Sequence, residues 1–186
     1  ADYNGTLVVT VTASDGQASG SGTLTLTVTP VNDAPVLFDF GDQEINEDES
    51  LFIELEAFDV EGDYLNYGAS TSGLANIGIG PNQLQVYPYP DFNGEMSVYV
   101  FVHDGGVNPL VSEFTFTLTV NPINDAPTLD DLADASVAEE GTYTLELSGA
   151  DVDGDALTFL ASVDANGSVS VDGSTLSVTP AQDYNG

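Results

Sequence analysis

The chain has 186 residues with 31 Asp plus Glu, no Lys or Arg, one His and no Cys. A charge of −31 without basic side chains excludes ion pairing as a way to balance the protein, and phosphate-rich partners such as nucleic acid or anionic membrane draw affinity from Lys and Arg. Disulfides, thiolate metal sites and Lys–Asn cross-links are closed as well, so neutralisation falls to mobile or bound cations.

The elements in chain order are short, alternating and unhelical. Leu24, Leu26 and Val28 place apolar groups on one face of a strand with Thr on the other. Next comes "TVTPVNDAPVL", where Pro35 holds itself and its neighbour extended, giving a stiff linker. Leu51, Ile53 and Leu55 form a second strand pattern, followed by the acidic turn "DVEGD" from Asp59. "DFNG" from Asp91 precedes a further alternating region, and "HDGG" around Asp104 leads into Phe114, Phe116, Leu118 and Val120. The linker then recurs as "TVNPINDAPTL" with Pro127, and Tyr143, Leu145 and Leu147 restate the pattern of Leu51, Ile53 and Leu55. "DVDGD" from Asp151 restates "DVEGD", and Asp172–Gly173 between "SVSV" and "STLSV" predicts a tight hairpin.

Self-similarity is therefore the dominant feature. "DYNG" at Asp2, "DFNG" at Asp91 and "DYNG" at Asp183 match, as do Asp15 with Asp104 and Asp33 with Asp125, at a period of about ninety residues. This phase predicts a complete repeat over residues 33–124, the C-terminal part of a repeat over 1–32 and the N-terminal part of another over 125–186. The pattern opens in mid-repeat, so the chain reads as a segment of something longer. Roughly seven short strands per repeat suit an all-β, immunoglobulin-like sandwich, although the Cys and Trp of antibody domains are missing. Tyr3, Phe92 and Tyr184 are expected to plug the sandwich beside a corner, with Asn–Gly making the turn.

Asn32–Asp33 and Asn124–Asp125 offer hard oxygen ligands inside each linker. Two residues cannot fill a calcium shell of six to eight oxygens, so acidic loops of adjoining repeats must supply the rest. With its "PVNDAP" and "PINDAP" linkers and period-matched acidic loops, the chain resembles the cadherin-like repeats of large bacterial surface adhesins and, more distantly, the cadherins. The resemblance implies calcium at each joint. Carried over residue by residue, it assigns Asp2, Asn32, Asp33, Asp59, Glu61 and Asp104 to the first joint, with Asn4 standing where the family has Glu. It assigns Glu47, Asp91, Asn124, Asp125, Asp151 and Asp153 to the second. "NDAP" in place of "NDN", and "DYNG" without the family's acidic third position, imply one or two ions per joint rather than three.

Each motif also has a plainer reading. "DVDGD" is equally the composition of a solvated turn, and neither acidic loop ends in the Glu an EF-hand requires. His103 has Ser14 as its counterpart and reads as a loop or surface residue, and no nucleophile–base pair suggests catalysis. The sequons at Asn4 and Asn166 coincide with Asn–Gly turns and are expected to be bare.

The leading expectation is a calcium-rigidified stalk segment of an extracellular bacterial adhesin, with Ca2+ and adjacent repeats as partners and no membrane insertion. A self-associating filament or surface layer is the alternative, since residues 125–186 lack what residues 1–32 contain and head-to-tail strand addition would supply it. A carbohydrate-binding module at Tyr87, Tyr89 and Phe92 is the third.

Overall fold

The computed structural model describes residues 3–184. Among these there are sixteen β-strands and no helix, as the absence of a helical period predicts. The chain falls into two compact units, Ala1–Pro122 and Ile123–Gly186.

The first unit begins with β1 (Gly5–Ser14) and β2 (Ser19–Val28), an antiparallel hairpin of ten matched pairs from Gly5↔Val28 to Ser14↔Ser19. Its turn is tied by Asp15, whose Oδ1 accepts from the backbone N–H of Gln17 at 2.9 Å and of Ala18 at 2.7 Å. Those two bonds favour the anion and hold the Asp15 carboxyl below its usual range.

A complete sandwich follows. Its strands are β3 (Val36–Leu37), β4 (Gln43–Asn46), β5 (Leu51–Glu54), β6 (Ala57–Phe58), β7 (Asn66–Thr71), β8 (Ala75–Ile79), β9 (Gln83–Pro88), β10 (Gly94–His103) and β11 (Val111–Asn121). One sheet has the order β4-β11-β10-β7, the other β5-β9-β8, and β3 pairs with β6. All ladders are antiparallel except β4 with β11, which run parallel from Gln43↔Leu118 to Asn46↔Asn121.

The alternation read from sequence sets the core. Met96, Val98, Val100 and Val102 of β10 and Phe116, Leu118 and Val120 of β11 face Leu84 and Val86 of β9, all at most 3% exposed. Leu51, Leu55 and Leu37 close the cluster, with Phe40 edge-on to both Phe114 and Phe116 at 4.8 and 5.1 Å between centroids. Interdigitated aliphatic faces of two sheets are what an all-β domain without disulfides needs to bury.

The outer face of the larger sheet carries Tyr99, Phe101 and His103, whose rings follow one another along β10. Phe101 lies across Gly68 of β7; a Cβ built there would stand 2.2 Å from the ring. Gly68→Ala is therefore expected to cost about 1–3 kcal/mol through overpacking, and adding Phe101→Ala should return part of that loss in urea unfolding. Equal costs with and without the ring would refute the contact. Tyr99 bonds Glu113, which raises the phenol above its ordinary range.

The second unit comprises β12 (Thr128–Leu129), β13 (Tyr143–Glu146), β14 (Gly149–Ala150), β15 (Gly167–Asp172) and β16 (Thr175–Pro180). β15 and β16 form the hairpin predicted at Asp172–Gly173, with Gly173 at φ 63°, and β13 pairs with β16. Glu146 accepts from the hydroxyls of Ser174 and Thr175, which hold its carboxyl below the usual range, Thr175 first.

The corner aromatics need a correction. Phe92 is half-buried and packs on the core, but Tyr3 and Tyr184 are 56% and 45% exposed. Of the three, Phe92 is the one that packs against the described core cluster. Tyr3 instead turns its hydroxyl to the Thr6 carbonyl at 3.2 Å.

Candidate metal centre

The first linker is anchored before it is charged. Pro35 is buried, and β3 directly after it pairs with β6, which ends at Phe58. That pairing sets Asn32 and Asp33 beside the "DVEGD" turn that begins at Asp59.

Within this turn Asp59 is buried at 6% exposure, and its Oδ1 caps the loop by accepting from the N–H of Glu61 at 2.9 Å and of Asp63 at 3.2 Å. Its Oδ2 is buried with no hydrogen-bond partner. Glu61 reaches back to the linker, its Oε2 accepting from the Asp33 N–H at 3.3 Å. Asp104, also 6% exposed, accepts from the Leu110 N–H through Oδ1 at 2.9 Å and from the Asn32 amide through Oδ2 at 2.6 Å. The structure thus brings Asn32 to Asp104 and Asp33 to Glu61, with Asp59 holding the Glu61 backbone. Asp2 lies outside the described residues.

The second unit repeats the arrangement at an offset of 92 residues. Asp151 Oδ1 accepts from the N–H of Asp153 at 3.1 Å and of Asp155 at 3.0 Å, as Asp59 does for Glu61 and Asp63. Asp153 Oδ2 accepts from the Asp125 N–H at 2.8 Å, as Glu61 does for Asp33. Asn124 donates its side-chain amide to the Asp125 carbonyl at 2.7 Å.

Glu47 and Asp91 belong to the complete sandwich. Glu47 extends the parallel ladder, its N–H donating to the Asn121 carbonyl at 2.9 Å, and it is 4% exposed. Its Oε2 accepts from the Asn93 amide at 3.3 Å, while the Asp91 N–H points to Asp48 Oδ1 at 3.4 Å. Asp48 and Asp91 adopt φ of 62° and 57°, and their period-matched counterparts Glu140 and Asp183 adopt 60° and 55°. These are the non-glycine residues of left-handed φ among those described, and all four are acidic. An L side chain pays for that conformation, so its recurrence at two matched positions marks loops fixed by more than local preference.

Sequence reasoning missed Asp48 and Asn93. Asn93 stands inside "DFNG", already singled out, and Asp48 in the acidic stretch just after β4, but their roles depend on which loop meets which, and spacing alone does not carry that. His103 is an end-of-strand residue, its Nδ1 accepting from the Gly105 N–H at 3.1 Å and its ring stacked on Phe101.

The donor set is chemically uniform. Carboxylate and amide oxygens suit calcium or another hard cation, and no thiolate or second imidazole is available for softer metals. A buried carboxylate oxygen without a hydrogen-bond partner, in a chain without Lys or Arg, is chemically suited to a hard cation.

Residues 124–186 match the family of the bacterial Ig domain. No curated protein matches the sequence. Among solved structures, the chain is similar to the Protocadherin GammaB4 extracellular domain (19% identity, TM-score 0.54, covering 96% of this chain and 33% of that one). It is similar also to human CDH23 EC21-23 (18%, 0.52, 96% and 65%) and to the Protocadherin gammaB7 EC3-6 cis-dimer structure (17%, 0.50, 96% and 51%). The chain spans between a third and two thirds of those chains, and at such identities the likeness is one of fold. Together the family match and the shared fold bear out the resemblance drawn from the linkers and acidic loops: the chain is all-β, residues 124–186 match the bacterial Ig domain, and the fold is like that of cadherin ectodomain structures.

Proposed function

We propose that the chain is a spacer segment of an extracellular bacterial surface protein whose joints are stiffened by calcium. The observation that carries this reading is Asp59 Oδ2, buried and unpartnered beside a linker whose Asn32 and Asp33 are already tied to Asp104 and Glu61. Asn32, Asp33, Asp59, Glu61 and Asp104 would hold the ion at the first linker. Asn124, Asp125, Asp151 and Asp153 supply the same ligand types in the second unit, and Glu47 and Asp91 supply carboxylates in the first. The bound ion contributes charge neutralisation that the sequence cannot provide and ties the linker to two loops of the sandwich. Folds of this kind serve as structural and adhesive modules, and calcium at the millimolar level found outside cells suits weak modular sites.

Thermal unfolding in a calcium titration tests this, with magnesium at matched ionic strength as control. Sites with dissociation constants of about 0.1–1 mM give a saturable gain of about 1.4–2.7 kcal/mol at about 10 mM calcium. For a repeat of this size that is a rise of roughly 5–20 °C. Magnesium dehydrates reluctantly and demands octahedral geometry, so it should give only the screening part of the shift. Equal responses to the two ions would reduce the acidic loops to solvated turns.

A further inference from the structure

Three Asn–Gly pairs open strands in this chain: Asn4–Gly5 at β1, Asn93–Gly94 at β10 and Asn166–Gly167 at β15. In each the glycine is the first strand residue, and all three asparagines are exposed. Such a pair carries a latent reaction, attack of the glycine backbone nitrogen on the asparagine side-chain carbonyl carbon, because no Cβ crowds the approach. Exposure does not distinguish the three. The hydrogen bonding of the attacking nitrogen does.

An antiparallel ladder alternates pairs that exchange both backbone bonds with pairs that exchange neither. The bond from the Asp104 N–H to the Leu110 carbonyl makes His103↔Val111 a non-bonded pair, and alternation along the ladder then makes Gly94↔Val120 a bonded one, with the Gly94 N–H donating to Val120. The bond from the Asp15 N–H to the Ala18 carbonyl sets the same phase in the β1–β2 hairpin and ties the Gly5 N–H to Val28. At β15 the phase is opposite. The Ala181 N–H donates to the Asn166 carbonyl at 2.8 Å, so Gly167↔Pro180 is non-bonded and the Gly167 N–H turns away from β16. β15 is the edge of the sheet β13-β16-β15, so that nitrogen faces the open side.

The complete sandwich shows the same open edge. There β8 is the edge of β5-β9-β8, Ala75↔Pro88 matches Gly167↔Pro180, and the Tyr89 N–H donates to the Leu74 carbonyl at 3.1 Å as Ala181 does to Asn166. Leu74 and Ala75 stand where the second unit has Asn166 and Gly167, so the reactive pair is a feature of sequence on an edge that both units share. A Cβ built on Gly167 would stand 2.8 Å from the Thr179 carbonyl oxygen, which holds the position to glycine. Asp164 ties Asn166 to the turn, its Oδ1 accepting from the Asn166 backbone N–H at 2.9 Å and its Oδ2 from the side-chain amide at 3.0 Å.

We propose that Asn166–Gly167 is a site of self-modification, at which Asn166 converts to aspartate and isoaspartate in the folded protein while Asn4 and Asn93 are protected by their ladders. The Gly167 nitrogen forms a bond to Asn166 Cγ, its proton leaves with the side-chain amide as ammonia, and water opens the resulting five-membered imide at either carbonyl. Water is the only co-reactant. The product gains a negative charge and sets a second carboxylate beside Asp164, in place of the amide that Asp164 now accepts from. As isoaspartate it also lengthens the backbone at the carbonyl that anchors Ala181, loosening the open end of the β15–β16 hairpin. The reaction needs no bound ion, and it stands or falls separately from the calcium reading.

The test incubates the full chain at neutral pH, native and in urea, and digests it with pepsin in acid, since the absence of Lys and Arg leaves trypsin no site. Mass spectrometry of the peptides follows amide-to-acid conversion at each asparagine. In the native protein Asn166 should convert about ten times faster than Asn4 or Asn93, or more, because their glycines must first break a ladder bond, and in urea the three rates should converge. Asn166→Gln should remove the acidic species that native protein accumulates on anion exchange, because the longer side chain would have to close a larger ring. Equal native rates at the three sites, a native Asn166 that stays intact while the unfolded chain converts, or an acidic species that persists in Asn166→Gln overturns the proposal.

Discussion

Asp59→Asn should raise the melting temperature in chelator and lower it in calcium. The substitution keeps an oxygen where Oδ1 accepts from the Glu61 and Asp63 N–H groups, so the turn retains its cap. It replaces the buried, unpartnered Oδ2 with a neutral amide. Without an ion the Asp59 carboxyl keeps one buried oxygen without a hydrogen-bond partner, and replacing that oxygen should return about 1–3 kcal/mol. On the proposed function the same oxygen would be a calcium ligand, and its loss should remove most of the roughly 1.4–2.7 kcal/mol expected from the ion. Differential scanning calorimetry of both proteins in both buffers reads the sign. A shift in the same direction in both would leave Asp59 as a turn residue and nothing more.

The second large effect lies in the core. Leu118→Ala removes a side chain with no exposed surface at the centre of β11, where both neighbouring ladders fix the backbone and the site cannot collapse. The expected loss is about 2–5 kcal/mol, a large share of the roughly 5–15 kcal/mol that holds a typical domain together. Leu26 is its period-matched counterpart in the hairpin and is 50% exposed, so Leu26→Ala in dilute protein should stay within about 0.5 kcal/mol. Urea unfolding of the two variants makes the comparison. Similar losses would mean that the hairpin face is covered even in the monomer.

Much of this architecture was legible because its signals are local. Period-two alternation predicted Phe116, Leu118 and Val120 on one face, and Asp–Gly predicted the β15–β16 hairpin, since side-chain direction and turn type depend on neighbours in sequence. The parallel pairing of β4 with β11 was not legible, because it joins residues some 75 positions apart and leaves no local pattern. The two-residue strands β3 and β6 were invisible for the same reason, although they place the linker beside its acidic turn.

The candidate site divides in the same way. The carboxylates themselves were marked by their recurrence, and the backbone bonds to Asp59 and Asp151 confirm that the two acidic turns fold alike. What recurrence did not convey is burial: Asp59 is shielded, while Glu61 beside it stays in water. Tyr3 and Phe92 occupy matched positions yet differ in exposure, because a motif fixes the local turn and the surrounding sheets decide what it packs against.

The one parallel ladder has a mechanical meaning. β4 lies near the start of the complete sandwich and β11 at its end, and because they run in the same direction the polypeptide enters at one pole and leaves at the other. Tension applied through the two ends then drags these neighbouring strands past one another along their length. The bonds from Gln43–Leu118 to Asn46–Asn121, with the Glu47–Asn121 bond beyond them, are strained together in shear rather than opened one at a time. The β1–β2 hairpin, pulled at its open end, would unzip pair by pair. Under such tension the sandwich therefore resists most where β4 and β11 lie side by side.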